Sequence, residues 1–258
     1  MPAPSNPFKR ALRQGETVFG CWLGFADGYA AEVMGEAGFD WLVIDGEHAP
    51  NDLRSIRDQL QVLGNSRSHP VVRVPVGETY MIKQVLDAGA QTILVPMVES
   101  AEQARQLVRD CRFPPLGDRG VGFALARASR FGQTPDYGLT ADDEISLLVQ
   151  VENRKGLAAL DEILTIEGID GVFIGPADLA ADMGHMSETS HPDVQAAIMG
   201  AIRRIRAAGK APGILSQDDQ VIDAALEAGA QFVAVGIDIL LLLRNAKALA
   251  AKWQGSRG

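Results

Sequence analysis

A chain of 258 residues is long enough for one large α/β domain, and a typical (β/α)8 barrel has about this length. A hydrophobic fraction of 47%, 27 glycines and a formal net charge of -9 describe a globular protein rich in turns and argue against a partner such as nucleic acid, whose phosphates need a concentrated basic patch. Neither the polar Met1–Gln14 nor any later stretch reads as a signal or spanning segment, and Cys21 and Cys111 are too few for a disulfide framework or zinc cluster; the expected setting is the cytosol, away from membranes, and the expected partner a small molecule.

Ser5–Gln14 has the polar start and the Phe8, Leu12 spacing of a short amphipathic helix capped by Asn6 before Pro7, and it is expected to close one end of a domain. Buried strands are predicted at Val18–Leu23, Trp41–Asp45, Val71–Val74, Thr92–Pro96, Ser146–Val151, Gly171–Ile174, Ala211–Leu215 and Phe232–Gly236, each a short apolar run bounded by turn residues. Helical patterns lie between them at Tyr29–Ala37, Asn51–Leu63, Glu78–Ala88, Ala101–Cys111, Arg154–Leu164, Pro192–Ala208 and Asp218–Ala228, and Ile239–Lys252 follows the last strand. An Ala-Gly phrase before a buried strand recurs at Gly38, Gly89 and Gly229, with a looser copy at Gly168, and marks a helix end with glycine at or near a left-handed position.

Eight alternating strand and helix units are most simply a closed parallel TIM barrel, (β/α)8, forming one domain over residues 1–258 with an extra N-terminal helix. An open doubly wound sheet is the alternative, against which no strand runs into a G-x-G-x-x-G loop. Two connections, Arg112–Ile145 and Gly175–His191, are too long to be mere links and are expected to cover the site.

In such a barrel the reactive groups gather at the carboxyl ends of the strands. The polar residues there are Asp45 and His48 after the second strand, Arg73 in the third, Gln150 and Glu152 on one face of the fifth, and Asp178 after the sixth. Taken singly, each has an ordinary structural reading: Arg73 paired to a carboxylate, Glu152 or Asp178 capping a helix, His48 a surface histidine. Their coincidence at one end favours a site. Two carboxylates with no neighbouring Cys or His set suit a hard divalent ion such as Mg²⁺ or Mn²⁺, which would hold a 2-oxo acid, with Arg73 on its C2 oxygen and the His48 and Asp45 pair handling a proton.

The segments Phe39–Asn51, Pro70–Arg73, Arg119–Gly122, Leu148–Glu152 and Gly171–Leu179 resemble those of the HpcH/HpaI aldolase family, and the likeness runs from about Phe8 to about Trp253. Among its members the 4-hydroxy-2-oxoheptanedioate aldolases resemble the chain most, with the 2-dehydro-3-deoxyglucarate aldolases next and hydroxypyruvate as a possible alternative donor. The resemblance implies a class II pyruvate aldolase dependent on a divalent metal (Mg²⁺, Mn²⁺ or Co²⁺) with no organic cofactor, acting on a 2-oxo acid and an aldehyde. It implies a homohexamer, a trimer of dimers, with a swapped C-terminal helix. It also implies residue roles: Glu152 and Asp178 as metal ligands, Gln150 and the Ala177–Asp178 backbone on the oxo acid, and Arg73 on the enolate. His48 would be the base with Asp45 as its hydrogen-bond partner, and Asp87 would raise the histidine's basicity.

Two other readings keep the fold. A phosphate-binding barrel would want a glycine-rich loop after the seventh strand, where Leu215 is followed by Ser216, Gln217, Asp218 and Asp219. A silent ligand-binding barrel would not need every one of the matched polar positions intact.

Overall fold

The computed structural model describes residues 1–254. In chain order the elements are α1 (Pro7–Gln14), β1 (Val18–Leu23), α2 (Gly28–Gly35), β2 (Trp41–Asp45), α3 (Leu53–Leu63), β3 (His69–Arg73), α4 (Thr79–Ala88), β4 (Thr92–Val95), α5 (Ala101–Cys111) and a 3-10 turn (Arg127–Ser129). They continue with α6 (Tyr137–Glu144), β5 (Ser146–Val151), α7 (Arg154–Leu164), β6 (Gly171–Ile174), α8 (Pro176–Asp182), α9 (Pro192–Ala207), β7 (Ala211–Leu215), α10 (Asp219–Ala228), β8 (Phe232–Ile237) and α11 (Asp238–Gln254). Every strand pairs in parallel with its neighbours in sequence and β8 returns to β1, so the sheet is a closed barrel.

Apolar burial is divided between the two faces of the sheet. Inside the barrel Trp22, Trp41, Val43, Leu148, Phe173 and Phe232 fill the axis, while Ile44, Val72, Ile93, Val149 and Val172 point outward against the helices. With both faces covered, the strands read as continuous apolar runs instead of alternating ones. The helix α1 plugs the amino-terminal mouth: Asn6 accepts the Lys9 N–H as its cap, and Phe8 stacks on His69 at 5.7 Å and packs on Trp41 and Phe232. The recurring glycines Gly38, Gly89, Gly168 and Gly229 are all left-handed, and Gly89 (φ 109°) and Gly229 (φ 106°) are the C-caps of α4 and α10.

The strand β3 begins at His69, two residues before the expected start, because the register with β2 pairs Trp41 with His69 and Leu42 with Pro70. Both long connections contain short helices, α6 and α8, whose eight and seven residues are too few to show a period. The expectation that Arg112–Ile145 covers the site is wrong. A helix in a βα unit runs back along its strand, so the segment after α5 emerges at the amino end. There Ala3 donates to Thr140 Oγ1 (2.8 Å), Asn6 to Glu144 Oε2 (2.6 Å), and Phe113, Phe123 and Tyr137 form a small aromatic cluster.

Candidate active site

The carboxyl ends of the strands surround a cavity of about 300 Å³ lined by Trp22, Asp45, His48, Arg73, Gln150, Phe173, Gly175, Ala177 and Asp178, among others. Two larger hollows, about 480 and 580 Å³, lie toward the amino end and are lined by α1, helix ends and loops. Size does not locate the site; the placement of titratable groups does.

Register brings the first pair together. Asp45 and Arg73 are opposite one another in the β2–β3 ladder, and the guanidinium donates through Nε to Oδ1 (2.9 Å) and through Nη2 to Oδ2 (2.7 Å), a planar fork matched to a planar carboxylate. Both are almost fully buried, at 4% and 6% exposure. Burial pushes the Asp45 carboxyl upward, but the Arg73 hydrogen bonds and charge, with the Glu47 and His48 amides, outweigh it and hold the group below its ordinary value. Arg73 Nη1 lies 2.7 Å from Glu47 Oε2, off the angle of a hydrogen bond, and Cζ sits 5.3 Å over the Trp22 ring. Glu47 is pushed up by burial against the pull of Arg73.

The expected Asp45–His48 side-chain bond is therefore replaced. Only the His48 backbone N–H reaches Asp45 (3.3 Å), while the exposed imidazole lies 3.8 Å from Glu47 Oε2. A carboxylate already gripped on both oxygens by a guanidinium has no free edge for the ring. Glu47 stood in the sequence beside the residues singled out, but its contact with Arg73 depends on the turn after β2.

On the opposite wall the Gln150 amide donates to Glu152 Oε2 in a short contact, and the Met97 N–H donates to Oε1 at 2.9 Å. Met97 holds a left-handed backbone (φ 54°), a conformation that only the folded chain reveals. Glu152 is 2% exposed. Burial pushes its carboxyl upward, Gln150 and Met97 oppose that, and the charges of Asp178 and Glu47 add to the rise. Gly175 must be glycine here, since a Cβ would collide with the Glu152 carboxylate. Asn153 and Gly175 are the N-cap residues of α7 and α8, so neither Glu152 nor Asp178 is needed as a cap.

The residues fit a divalent cation. Gln150 Oε1 is buried without a hydrogen-bond partner among the described residues, Asp45 and Glu47 face the Arg73 guanidinium, and the charges of Asp178 and Glu47 bear on Glu152. Oxygen donors of this kind are those of Mg²⁺ and Mn²⁺. A separate set, His185, His191 and Asp193, has ligand atoms within 4.8 Å of one another where the connection after α8 enters the first turn of α9, outside the cavity.

Asp87 is not brought to this cavity. It lies at the far end of α4, where Arg119 Nη2 donates to it at 3.0 Å, and the buried Arg119 side chain is stacked over Phe113 (4.4 Å). The Arg119–Gly122 motif thus fastens the long connection to α4 within this chain. Among the described residues no helix is long and apolar enough to cross a membrane.

The sequence pattern of the HpcH/HpaI aldolase/citrate lyase family matches residues 18–245. A hydroxypyruvate/pyruvate aldolase of Roseobacter denitrificans is 63% identical over 254 residues, covering 98% of this chain and 99% of the relative. A 4-hydroxy-2-oxo-heptane-1,7-dioate aldolase of Klebsiella pneumoniae is 55% identical over 249 residues, covering 96% and 94%. The crystal structure of an HpcH/HpaI aldolase/citrate lyase family protein from Burkholderia cenocepacia superposes with a TM-score of 0.93 at 39% identity, covering 97% of this chain and all of the other. A closed parallel barrel with an acidic site at its carboxyl end, matched over nearly its whole length by these relatives, is a carbon–carbon lyase, and the chain belongs to the HpcH/HpaI aldolase family.

Proposed function

We propose that the chain is a single-domain, divalent-metal-dependent aldolase that uses pyruvate or hydroxypyruvate as its 2-oxo acid and reversibly makes or breaks a carbon–carbon bond to an aldehyde. The observation that carries this reading is the buried Glu152 carboxylate, oriented by Gln150 and the Met97 amide beside Asp178, across from a guanidinium that Asp45 fixes in place.

Glu152 and Asp178 would hold the ion, which supplies Lewis-acid polarisation of the C2 carbonyl when bound. Arg73 gives Nε and one Nη2 hydrogen to Asp45 and sets Nη1 against Glu47, leaving its other Nη2 hydrogen for the C2 oxygen. In cleavage, His48 takes the proton of the C4 hydroxyl, the C3–C4 bond breaks to leave an aldehyde, and the electron pair passes through C3 to the C2 oxygen, where Arg73 stabilises the negative charge. Protonation at C3 then completes the oxo acid. Gln150 and the Ala177 and Asp178 backbone amides would contact the substrate's oxygens. Asp45 becomes a positioning residue for Arg73 instead of a partner for His48.

Two observations favour the hydroxypyruvate/pyruvate reading over the heptanedioate one. Two relatives at 63% and 62% identity are hydroxypyruvate/pyruvate aldolases, against 55% for the heptanedioate aldolase of Klebsiella pneumoniae. The cavity and its 440 Å³ neighbour, lined by Thr189, Ser190, Gln195, Ser216 and Gln217 among others, contain Arg73 as their one Lys or Arg among the described residues. A second substrate carboxylate would find no free cation there, while a neutral hydroxyaldehyde would find hydroxyls and amides.

The assembly belongs to the same proposal. Of α11 only Asp238 is buried, while Leu242, Leu243 and Leu249 are exposed on a 17-residue helix, as expected of a helix exchanged between subunits of a hexamer. Asp87 would act on His48 only if a second copy delivered it.

The test is retro-aldol turnover of the pyruvate and hydroxypyruvate adducts of glyceraldehyde and of succinic semialdehyde, after chelation and after return of Mg²⁺, Mn²⁺ or Co²⁺. Activity should vanish on chelation, return with the ion, and favour the neutral aldehyde. Full turnover in a metal-free sample, or a covalent adduct trapped by borohydride with pyruvate, would remove the reading. The second outcome is not expected, because among the described residues no lysine lines the cavity.

A further inference from the structure

We propose that His185, His191 and Asp193 form a second metal site, suited to Zn²⁺ or a similar borderline ion and independent of the carboxylate pair in the barrel. Their ligand atoms lie within 4.8 Å of one another, with the two histidines half-buried and Asp193 exposed. The turn that gathers them is tightly bonded: His185 donates its amide to Ala180 (2.8 Å), Glu188 to His185 (2.9 Å) and His191 to Glu188 (2.9 Å), with left-handed Gly184 and Ser187 between. The two imidazoles are stacked at 3.6 Å with planes 19° apart.

The ordinary reading is that His191 is a helix cap, since its Nδ1 accepts the Asp193 N–H at 3.2 Å to begin α9. Capping accounts for one ring. It does not require His185 to stack on it, nor a carboxylate from Asp193 beside both. Two imidazole nitrogens and one carboxylate oxygen are the donors of a three-ligand zinc site with an open position for water, whereas Mg²⁺ prefers oxygen alone. The Glu188 carboxylate, 3.9 Å from His185 Nδ1, adds negative charge at the edge. Ligation at Nδ1 of His191 displaces the Asp193 amide, and ligation at Nε2 moves the ring proton to Nδ1; in both cases the ion takes over from the cap as the tie between turn and helix. Thr189 and Ser190, inside this turn, line the cavity next to Asp178, so an ion here would stiffen one wall of the substrate approach.

The experiment uses untagged full-length protein stripped of metal, titrated with Zn²⁺ by calorimetry and with Co²⁺ by visible absorption. His185→Ala, His191→Asn and Glu152→Gln are compared with the wild type. Asparagine is a good N-cap, so His191→Asn removes a ligand while keeping the start of α9. The wild type should bind two ions; each histidine variant should lose one of them or bind it at least about tenfold more weakly, Glu152→Gln should lose the other and keep this one, and the rise in melting temperature produced by Zn²⁺ should shrink in His191→Asn. Two ions still bound with unchanged affinity in His191→Asn, or none bound in Glu152→Gln, would overturn the proposal. Should His185→Ala fail to fold, His191→Asn decides alone.

Discussion

At the amino-terminal mouth of the barrel Phe8 stacks on His69 and meets Trp41 and Phe232, and Asn6 donates to Gln91 O and Thr92 Oγ1. At the carboxyl-terminal mouth Asp45 and Glu47 meet the Arg73 guanidinium, the charges of Asp178 and Glu47 bear on Glu152, and Gln150 Oε1 lacks a partner among the described residues. The same eight strands build both ends. Both ends bury titratable groups, but the amino end surrounds His69 and Lys9 with aromatic packing and hydrogen bonds, while the carboxyl end gathers carboxylates around a cavity. The difference teaches where each end spends its residues: the amino end on stability and the carboxyl end on chemistry.

The comparison breaks most clearly at Glu152. Glu152→Gln should lower turnover by roughly 10³-fold or more, since a Lewis acid supplies several kcal/mol of transition-state stabilisation. It should leave thermal stability unchanged or raised, because burial already opposes the ionised carboxylate. A large loss of melting temperature with little loss of activity would reverse the assignment of the two ends.

The rim residues sharpen the picture of the active end. His48→Ala should depress aldol cleavage by roughly 10²- to 10⁴-fold and oxaloacetate decarboxylation much less, because no hydroxyl proton moves in the latter. Arg73→Ala should depress cleavage, decarboxylation and methyl proton exchange together by about 10²- to 10³-fold. It should also destabilise the fold, since Asp45 is left buried without its partner. Equal losses in all three reactions for His48→Ala would sink this division of roles.

Phe8→Ala probes the other mouth. Removing that ring from between His69, Trp41 and Phe232 should cost about 3–5 kcal/mol in urea unfolding, with kcat per folded molecule unchanged. A kcat that fell with stability would mean that the amino end also shapes the site.

The pH dependence of stability should carry the smallest signature. Burial pushes His69 down from 6.5 to about 4, so below pH 6.5 the unfolded chain takes up a proton that the native state refuses. Stability should fall by about 1.4 kcal/mol per pH unit across that window and level off below it. Asp45 acts with the same sign in a lower window: its carboxyl is held below 3.8, so its contribution persists down to that value and is lost only as the pH drops below it. His69→Phe should flatten the slope between pH 6.5 and about 4, measured by unfolding at neutral pH and midway through the window; an unchanged slope would place the proton elsewhere.

Much of this was legible in the chain itself. Seven of the eight strands begin and end within one residue of their apolar runs, and β3 starts two residues early. Asp45, His48, Arg73, Gln150 and Asp178 do line one cavity, because parallel alternation fixes which end of each strand they occupy. The pairings within that cavity were not legible. Asp45 grips Arg73 because β2 and β3 are in register, and Glu152 is held by an amide of Met97 whose left-handed turn has no glycine to announce it. The fate of Arg112–Ile145 was misjudged because loop length says nothing about which end of a barrel a helix returns to.

The sequence by itself determined the alternation of buried strand and amphipathic helix, the closed barrel, and the set of polar residues at its carboxyl end, since these follow from local periodicity and chain direction. Only the tertiary structure decided which carboxylate meets the guanidinium, which loop seals the amino end, and that His185 and His191 stack. Those outcomes depend on register and on the meeting of segments distant in sequence or folded by unannounced turns, and no local pattern encodes either.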